Sequence, residues 1–371
     1  MPFLDRRILA HFNWSLLLLL LLLAGVGILN LYSAGTLRQD QGVTTAFYYQ
    51  KQLYWLAIGF LAILFIIPFD YRHLKAVVWP LYGLTLFLLV YVLGYGTAIS
   101  GATRWIDLGV ASFQPTELAK VSVILLCAAL LARMPGPLSW KDLGKILILV
   151  AVPVAFIMAQ PDLGSGLNIL MLAGGMLLFK GINRRILFTF LVGIPVLAPI
   201  TWFFLLDYQK QRILTFLHPQ RDPLDAGYNT IQSKIAIGSG QIWGKGFLEG
   251  TQSQLRFLPA KHTDFVFSVF GEEWGFVGCA ILLSLFCFFL YQLVVVAGTS
   301  KDSFGAYIAS GVFFYFFWQI VINLGMVLGL MPIVGIPLPF FSYGGSSTLI
   351  NCILLGLVFN ISMRRYIFTR E

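Results

Sequence analysis

Glu117, Lys120, Asp162 and Asp264 stand at the heads of long apolar runs, where an ionised side chain is expensive. Glu117 and Lys120 are three residues apart, so on a helix they share one face and can pair. Pro115 suits a first helical position and an acid in the first turn complements the helix dipole, which gives Glu117 a capping explanation as well. Lys120 has no such explanation, because a cation near a helix N-terminus is disfavoured. Paired and partly buried, it is a candidate phosphate contact. Asp162 in Gln160-Pro-Asp-Leu-Gly-Ser165 and Asp264 in His262-Thr-Asp-Phe265 read equally well as helix N-caps. Asp264 is set apart by the long polar segment that ends on it. The adjacent acids Glu272 and Glu273 lie within the following apolar run and suit a structural role better than a catalytic one.

The elements that carry these residues follow from composition. The chain of 371 residues is 58% hydrophobic and 11% charged, too apolar for a soluble core. Ten apolar runs are long enough to cross a bilayer, at 14–33, 52–68, 77–95, 116–132, 144–159, 164–180, 186–206, 266–297, 305–331 and 342–362. The reading is an all-α polytopic membrane protein forming one domain over 1–371, with a large extracytoplasmic loop, 207–265, between the seventh and eighth helices. Arg6 and Arg7 before Leu16–Leu23 resemble a signal peptide, but the run is long and more spans follow, so a retained first helix is expected. The eighth and ninth runs exceed a bilayer's thickness, and tilt or protruding ends would absorb the excess. The four cysteines, Cys127, Cys279, Cys287 and Cys352, form no metal-type spacing and are expected as free thiols packed in helices.

Basic residues set the orientation. With both termini cytoplasmic, the inner connections hold fourteen Lys and Arg, and the short outer ones hold three, Arg38, Lys51 and Arg104. Every even-numbered helix then starts at the outer face. The starts of the fourth, sixth and eighth place Glu117, Asp162 and Asp264 on one side of the membrane.

The long loop adds Lys210, Arg212, Arg221, Lys234, Lys245, Arg256 and Lys261 against Asp207, Asp222, Asp225, Glu249 and Asp264. Lys234 and Arg212 are candidate substrate contacts. Gly238-Ser-Gly240 and Gly244-Lys-Gly246 would let backbone approach a ligand closely, as in anion-binding nests. Ile231, Ile235, Ile237 and Phe247 suggest a short helix lying on the membrane surface. A second interruption, Pro337 to Ser347, falls between the ninth and tenth helices, where irregular backbone needs protein or a cavity around it. A carboxylate at a helix end, beside cations and glycine turns, suits proton removal from an acceptor hydroxyl and stabilisation of a departing pyrophosphate. No P-loop, GxGxxG fingerprint or zinc motif is present. A lipid-linked donor presented at the outer leaflet therefore fits better than a nucleotide.

Long motifs in these segments resemble the SEDS family. They are Asp222-Pro-Leu-Asp-Ala-Gly-Tyr-Asn-Thr-Ile-Gln-Ser-Lys-Ile-Ala-Ile-Gly-Ser-Gly240, Gly250-Thr-Gln-Ser-Gln-Leu255, Phe257-Leu-Pro259 and His262-Thr-Asp-Phe265. Gly101-Ala-Thr-Arg-Trp-Ile-Asp107, Phe113-Gln-Pro-Thr-Glu117, Ala159-Gln-Pro-Asp-Leu-Gly-Ser165 and Pro337 to Ser347 extend the likeness over nearly the whole chain. Thr-Gln-Ser-Gln and the short tails are similar to the elongation branch of the family rather than the division branch. Gln241 stands where a glycine is usual, and Ala260 where an acid is common. The resemblance implies a peptidoglycan glycosyltransferase of the bacterial inner membrane that polymerises undecaprenyl-linked lipid II for elongation and rod shape. It implies Asp264 as the essential acid and base at the acceptor hydroxyl, with Glu117, Lys120, Asp162 and Arg104 as the supporting polar cluster. It also implies a class B penicillin-binding protein and other elongation-complex proteins as partners. No cofactor is readable, although acids beside a pyrophosphate could share a divalent cation, magnesium or manganese. The rival expectations are a lipid II flippase, which needs polar sites at both faces and the midplane, and a non-catalytic scaffold.

Overall fold

The computed structural model describes residues 12–39, 42–45, 47–99, 102–107, 109, 112–222, 226–254 and 262–365; Arg6, Arg7, Asp225, Arg256, Lys261 and Arg370 fall outside them. Each of the ten apolar runs forms a helix: α1 (Trp14–Gly35), α2 (Tyr48–Ile66), α3 (Leu74–Tyr95), α4 (Pro115–Leu131), α5 (Trp140–Ala159), α6 (Leu163–Lys180) and α7 (Arg184–Phe204), then, after the loop, α11 (Val266–Thr299), α12 (Ser303–Val327) and α13 (Gly345–Arg364). The loop itself holds α8 (Asp207–Leu217), α9 (Ala226–Ser239) and α10 (Thr251–Gln254). Eight of the ten long helices have the length and apolar character to cross a membrane; α4, at 17 residues, and α7 are the others. The protein is thus a polytopic helical membrane protein. Short antiparallel strands, absent from the sequence reading, fill two connections: β1 (Thr36–Gln39) with β2 (Gly42–Thr45), and β4 (Ala102–Asp107) between β3 (Thr97–Ile99) and β5 (Ser112–Phe113).

Helices α4, α12 and α13 form the centre, with Ile124, Tyr315, Phe316, Cys352 and Phe359 fully buried. Leu16, Leu20 and Leu23 bury α1 in the same core, as expected of a retained first helix. Asn360 on α13 donates from Nδ2 to the Ile66, Ile67 and Phe69 carbonyls, and Arg364 donates to Ile67 and Pro68. Together they satisfy the carbonyls that α2 leaves open at its C-terminus. α7 stands apart. Phe188, Leu191 and Phe203 are exposed on it, and it makes no extensive packing against another described element. The cysteines are free and helical, though only Cys127 and Cys352 are buried, and Cys287 is exposed on α11.

α11, the longest helix, is broken within its length. Gly275 adopts φ 62°, ψ −161°. In an unbroken helix the Phe276 and Val277 amides would donate to the Glu272 and Glu273 carbonyls. Here they donate instead to Gln241 O at 2.8 Å and Ile242 O at 3.1 Å, while Lys245 N and Gly246 N take over Glu272 O and Glu273 O at 3.0 Å each. The segment after α9 is therefore threaded into the break, and the Phe276 and Val277 amides and the Glu272 and Glu273 carbonyls all find new partners in it. For Gly240 and Gly244 the close approach that the sequence signalled is to α11. A Cβ at Gly240 would lie 2.1 Å from the Gly271 carbonyl oxygen, one at Gly244 2.1 Å from the Glu273 oxygen, and one at Gly275 2.3 Å from Gly244 N. The small size of Gly240 and Gly244 seats the loop against α11, whereas Gly238 has nothing within 4 Å and Gly246 faces Glu249. The expected short helix is α9, but it packs on α11 and α12 through Ser233 and Ala236.

Gly275→Ala must both strain a left-handed backbone and push the loop out, which costs on the order of 2–4 kcal/mol. The thermal midpoint of the purified variant should fall by several degrees, whereas Gly83→Ala, where nothing lies within 4 Å, should leave it unchanged.

Candidate functional site

One end of the bundle gathers the polar residues, because the starts of α4, α6, α11 and α13 and the ends of α1, α5 and α12 all meet there. Glu117 and Lys120, on α4, pair at 2.6 Å and are only 4% and 2% exposed. The Lys120 ammonium also lies 5.7 Å from the centre of the Tyr315 ring, and the Tyr315 hydroxyl donates to Asn351 Oδ1 at 2.7 Å. This chain links α4, α12 and α13 through the core. Lys120 is more deeply buried than its place near a helix start suggested, with Glu117 and the Tyr315 ring as its neighbours.

Asp162 caps α6, its Oδ1 accepting from Ser165 N at 3.1 Å, as its residue type predicts. It does more than cap. Arg104 on β4 approaches it at 3.6 Å and donates to Pro161 O at 3.0 Å, and Gln114 reaches Asp162 Oδ2 at 3.5 Å. The small sheet is therefore tied to the α6 start, and Arg104 sits at its rim.

Asp264 lies on the turn His262–Phe265 that leads into α11. Asn323, buried near the end of α12, donates from Nδ2 to both Asp264 O at 3.0 Å and Ile336 O at 2.8 Å. That clamp fixes the turn against the connection from α12 to α13. In the same connection, Gly335 has φ 73° and a Cβ there would lie 3.6 Å from Asp264 Oδ2, so the carboxylate faces bare backbone. Val334 O lies so near Gly164 that an added Cβ would be 2.3 Å away. The Val334–Ile336 strap thus touches both the α6 start, where Asp162 is, and Asp264. Among the described residues no side chain hydrogen-bonds the Asp264 carboxylate, and burial pushes its pKa up to about 6. Beside it, the His262 ring stacks on Tyr48 at 4.1 Å, and Tyr343 N donates to His262 O at 3.0 Å.

The other two expected cations are placed differently. Lys234 is exposed on α9 with its side chain against Gly329, and Arg212 lies on α8, whose main neighbours are α9 and the Pro219–Arg221 turn. Neither pairs with Asp264, Asp162 or Glu117. Asn323, Asn30 and Ser33 were not singled out from the sequence, although polar residues within apolar runs are the signal that finds them. Among the described residues no three His, Cys, Asp or Glu side chains converge as metal ligands.

Charged side chains, irregular backbone and the partly exposed Asp264 carboxylate thus gather at one end of a polytopic helical membrane bundle. The chain belongs to the FtsW/RodA/SpoVE cell cycle protein family, which it matches over residues 13–367. It is 38% identical to peptidoglycan glycosyltransferase MrdB of Escherichia coli K12, over 97% of this chain and 96% of that one. It superposes with a TM-score of 0.81 on a chain of a peptidoglycan synthase complex that coordinates polymerization and crosslinking, at 34% identity and covering 96% of this chain and 98% of that one. On the rod shape determining protein RodA of Thermus thermophilus the TM-score is 0.72, at 31% identity and with 96% and 98% covered.

Removing one partner of a buried ion pair leaves the other charge uncompensated, at a cost of about 3–5 kcal/mol. Lys120→Met should therefore lower the thermal midpoint sharply, and Glu117→Gln in the same chain should recover most of the loss.

Proposed function

We propose that this chain is a peptidoglycan glycosyltransferase of the bacterial inner membrane. It polymerises the disaccharide of undecaprenyl pyrophosphate-linked lipid II during elongation, with Asp264 as general base. The family and the similarity to MrdB support the activity. The observation that carries the assignment of the base is the Asp264 carboxylate itself, half-buried against the Gly335 backbone, hydrogen-bonded by no described side chain and pushed up to about 6. A base with a pKa just below neutrality is mostly ionised at pH 7 yet still a competent proton acceptor.

In this mechanism Asp264 takes the proton of an acceptor sugar hydroxyl. The oxygen bonds to the anomeric carbon of the donor, and the bond from that carbon to the pyrophosphate oxygen breaks. Undecaprenyl pyrophosphate leaves with the electron pair. Negative charge grows on the leaving group, and Arg104 and Lys234, both reachable from solvent, are the cations suited to meet it. Lys120 supports the site from within by neutralising Glu117. The reading includes ten membrane crossings with both termini cytoplasmic and the Asp264 end outside, and a class B penicillin-binding protein as the crosslinking partner. The peptidoglycan synthase complex on which the chain superposes supports that partner.

Purified protein incubated with lipid II in detergent should produce glycan strands on a gel, and Asp264→Asn should reduce their formation about 10²–10⁴-fold. Wild-type turnover should rise with pH through about 6, because the ionised form of the base is the active one. Wild-type rates from Asp264→Asn would move the base elsewhere. The absence of strands from wild type, alone and with its partner, would favour a transporter.

A further inference from the structure

The break at Gly275 cuts α11 into a long lower part and a short upper one, Val266–Trp274, that carries Asp264 at its head. The upper part is held from several sides. Asn30 on α1 donates to Val266 O at 2.9 Å, Ser33 bonds Glu273, Ser268 and Ser233 on α9 share a 2.8 Å hydrogen bond, and Asn323 holds Asp264 O. The fifth tether is ionic. Glu272, completely buried, accepts at Oε1 from Lys245 Nζ at 2.7 Å, Thr251 Oγ1 at 3.1 Å and Gln252 N at 3.0 Å. Lys245 Nζ also donates to Thr251 at 2.8 Å.

Lys245 therefore has two jobs at one place: its amide replaces a missing helix donor at Glu272 O, and its ammonium neutralises the carboxylate of the same residue. Its side chain is 27% exposed, so it joins a solvent-facing loop to a buried helix. Without that charge, the completely buried carboxylate would lose the cation that donates to its Oε1 at 2.7 Å, leaving the neutral Thr251 and Gln252 donors on that oxygen. Its solvation demand would then pull Glu272 and the loop apart, opening the two exchanged backbone bonds.

We infer that Lys245 is a positioning residue for the transfer reaction: through Glu272 it seats the Gly240–Gln254 segment in the α11 break and so fixes the short helix that presents Asp264. The inference rests on Asp264 being the base. Lys245 does not touch substrate in this arrangement, and its effect belongs to the chemical step rather than to substrate affinity. A misplacement of about 1 Å is enough to cost a reaction on the order of 10²-fold.

The test compares Lys245→Met, Lys245→Gln and Lys245→Arg in the full-length protein, with kcat and KM for lipid II and amide hydrogen exchange across 262–276. Lys245→Met should lower kcat about 10–100-fold with KM within about 2-fold, and should speed exchange in that segment. Lys245→Gln should lie between Met and wild type, and Lys245→Arg should restore both readouts. Unchanged kcat in folded Lys245→Met and Lys245→Gln would overturn the inference. So would a fall in kcat with unchanged exchange, since Lys245 would then act directly on substrate, or an effect confined to KM. If Lys245→Met does not fold, the ordering of Gln, Arg and wild type carries the same decision. Failure of the proposed activity is distinguishable, because wild type would then make no strands while the exchange comparison would still report on the tether.

Discussion

A helix in hydrocarbon cannot be interrupted without finding new partners for the backbone groups set free, because no water is present to take them. That constraint governs this protein at Gly275. Four backbone bonds between the loop and α11 replace those the break removes, and the rest of the polar end is arranged around that junction. The loop packs closely because Gly240 and Gly244 have no side chains to hold it off. Glu272 stays buried because Lys245 follows the loop in. Asp264 stands where it does because the short upper helix is tied to α1, α9 and α12 independently of the long lower part.

The second organising element is the Glu117–Lys120 pair. It lies inside the bundle and extends through Tyr315 and Asn351 to two further helices, so the α4 start is fixed electrostatically as well as by packing. The rim of the site is built differently. Arg104 is partly solvated and Asp162 is buried, and the two are joined at 3.6 Å, longer than the 2.6 Å of the Glu117–Lys120 pair. A rigid buried pair behind a partly solvated rim is the arrangement that the proposed transfer at Asp264 calls for.

Much of this was legible from the chain alone. The apolar runs locate all ten long helices within a few residues, because hydrocarbon imposes a length and a composition that few other constraints override. Charge counting placed the heads of α4, α6 and α11 on one side, and the structure brings Asp162 and Asp264 to the same Val334–Ile336 strap. The local pattern does not reveal which distant group a polar atom will choose. Asp162 looked like a cap and is one, yet its link to Arg104 crosses 57 intervening residues. The glycine pairs in the loop signalled close approach correctly but not what was approached. Arg212 and Lys234 were grouped with the site by charge and loop membership; the structure puts Lys234 on the exposed side of α9 and Arg212 on α8. The break in α11 left its mark only as excess length and a glycine, a combination that tilt explains equally well.

The division of α11 also has a mechanical consequence. As one rigid rod of 34 residues it would be about 51 Å long, and any rocking of its lower part would be levered to its tip. Asp264 lies roughly 16 Å beyond Gly275, so a 10° swing about that point, on the order of what bilayer thickness changes impose on a span, would carry it about 3 Å. For the base proposed above, the tolerance is only about 0.5 Å. With the joint at Gly275, the lower helix can follow the lipid while the carboxylate keeps its place relative to α1, α9 and α12. The protein thereby insulates its chemistry from the elastic medium in which it is dissolved.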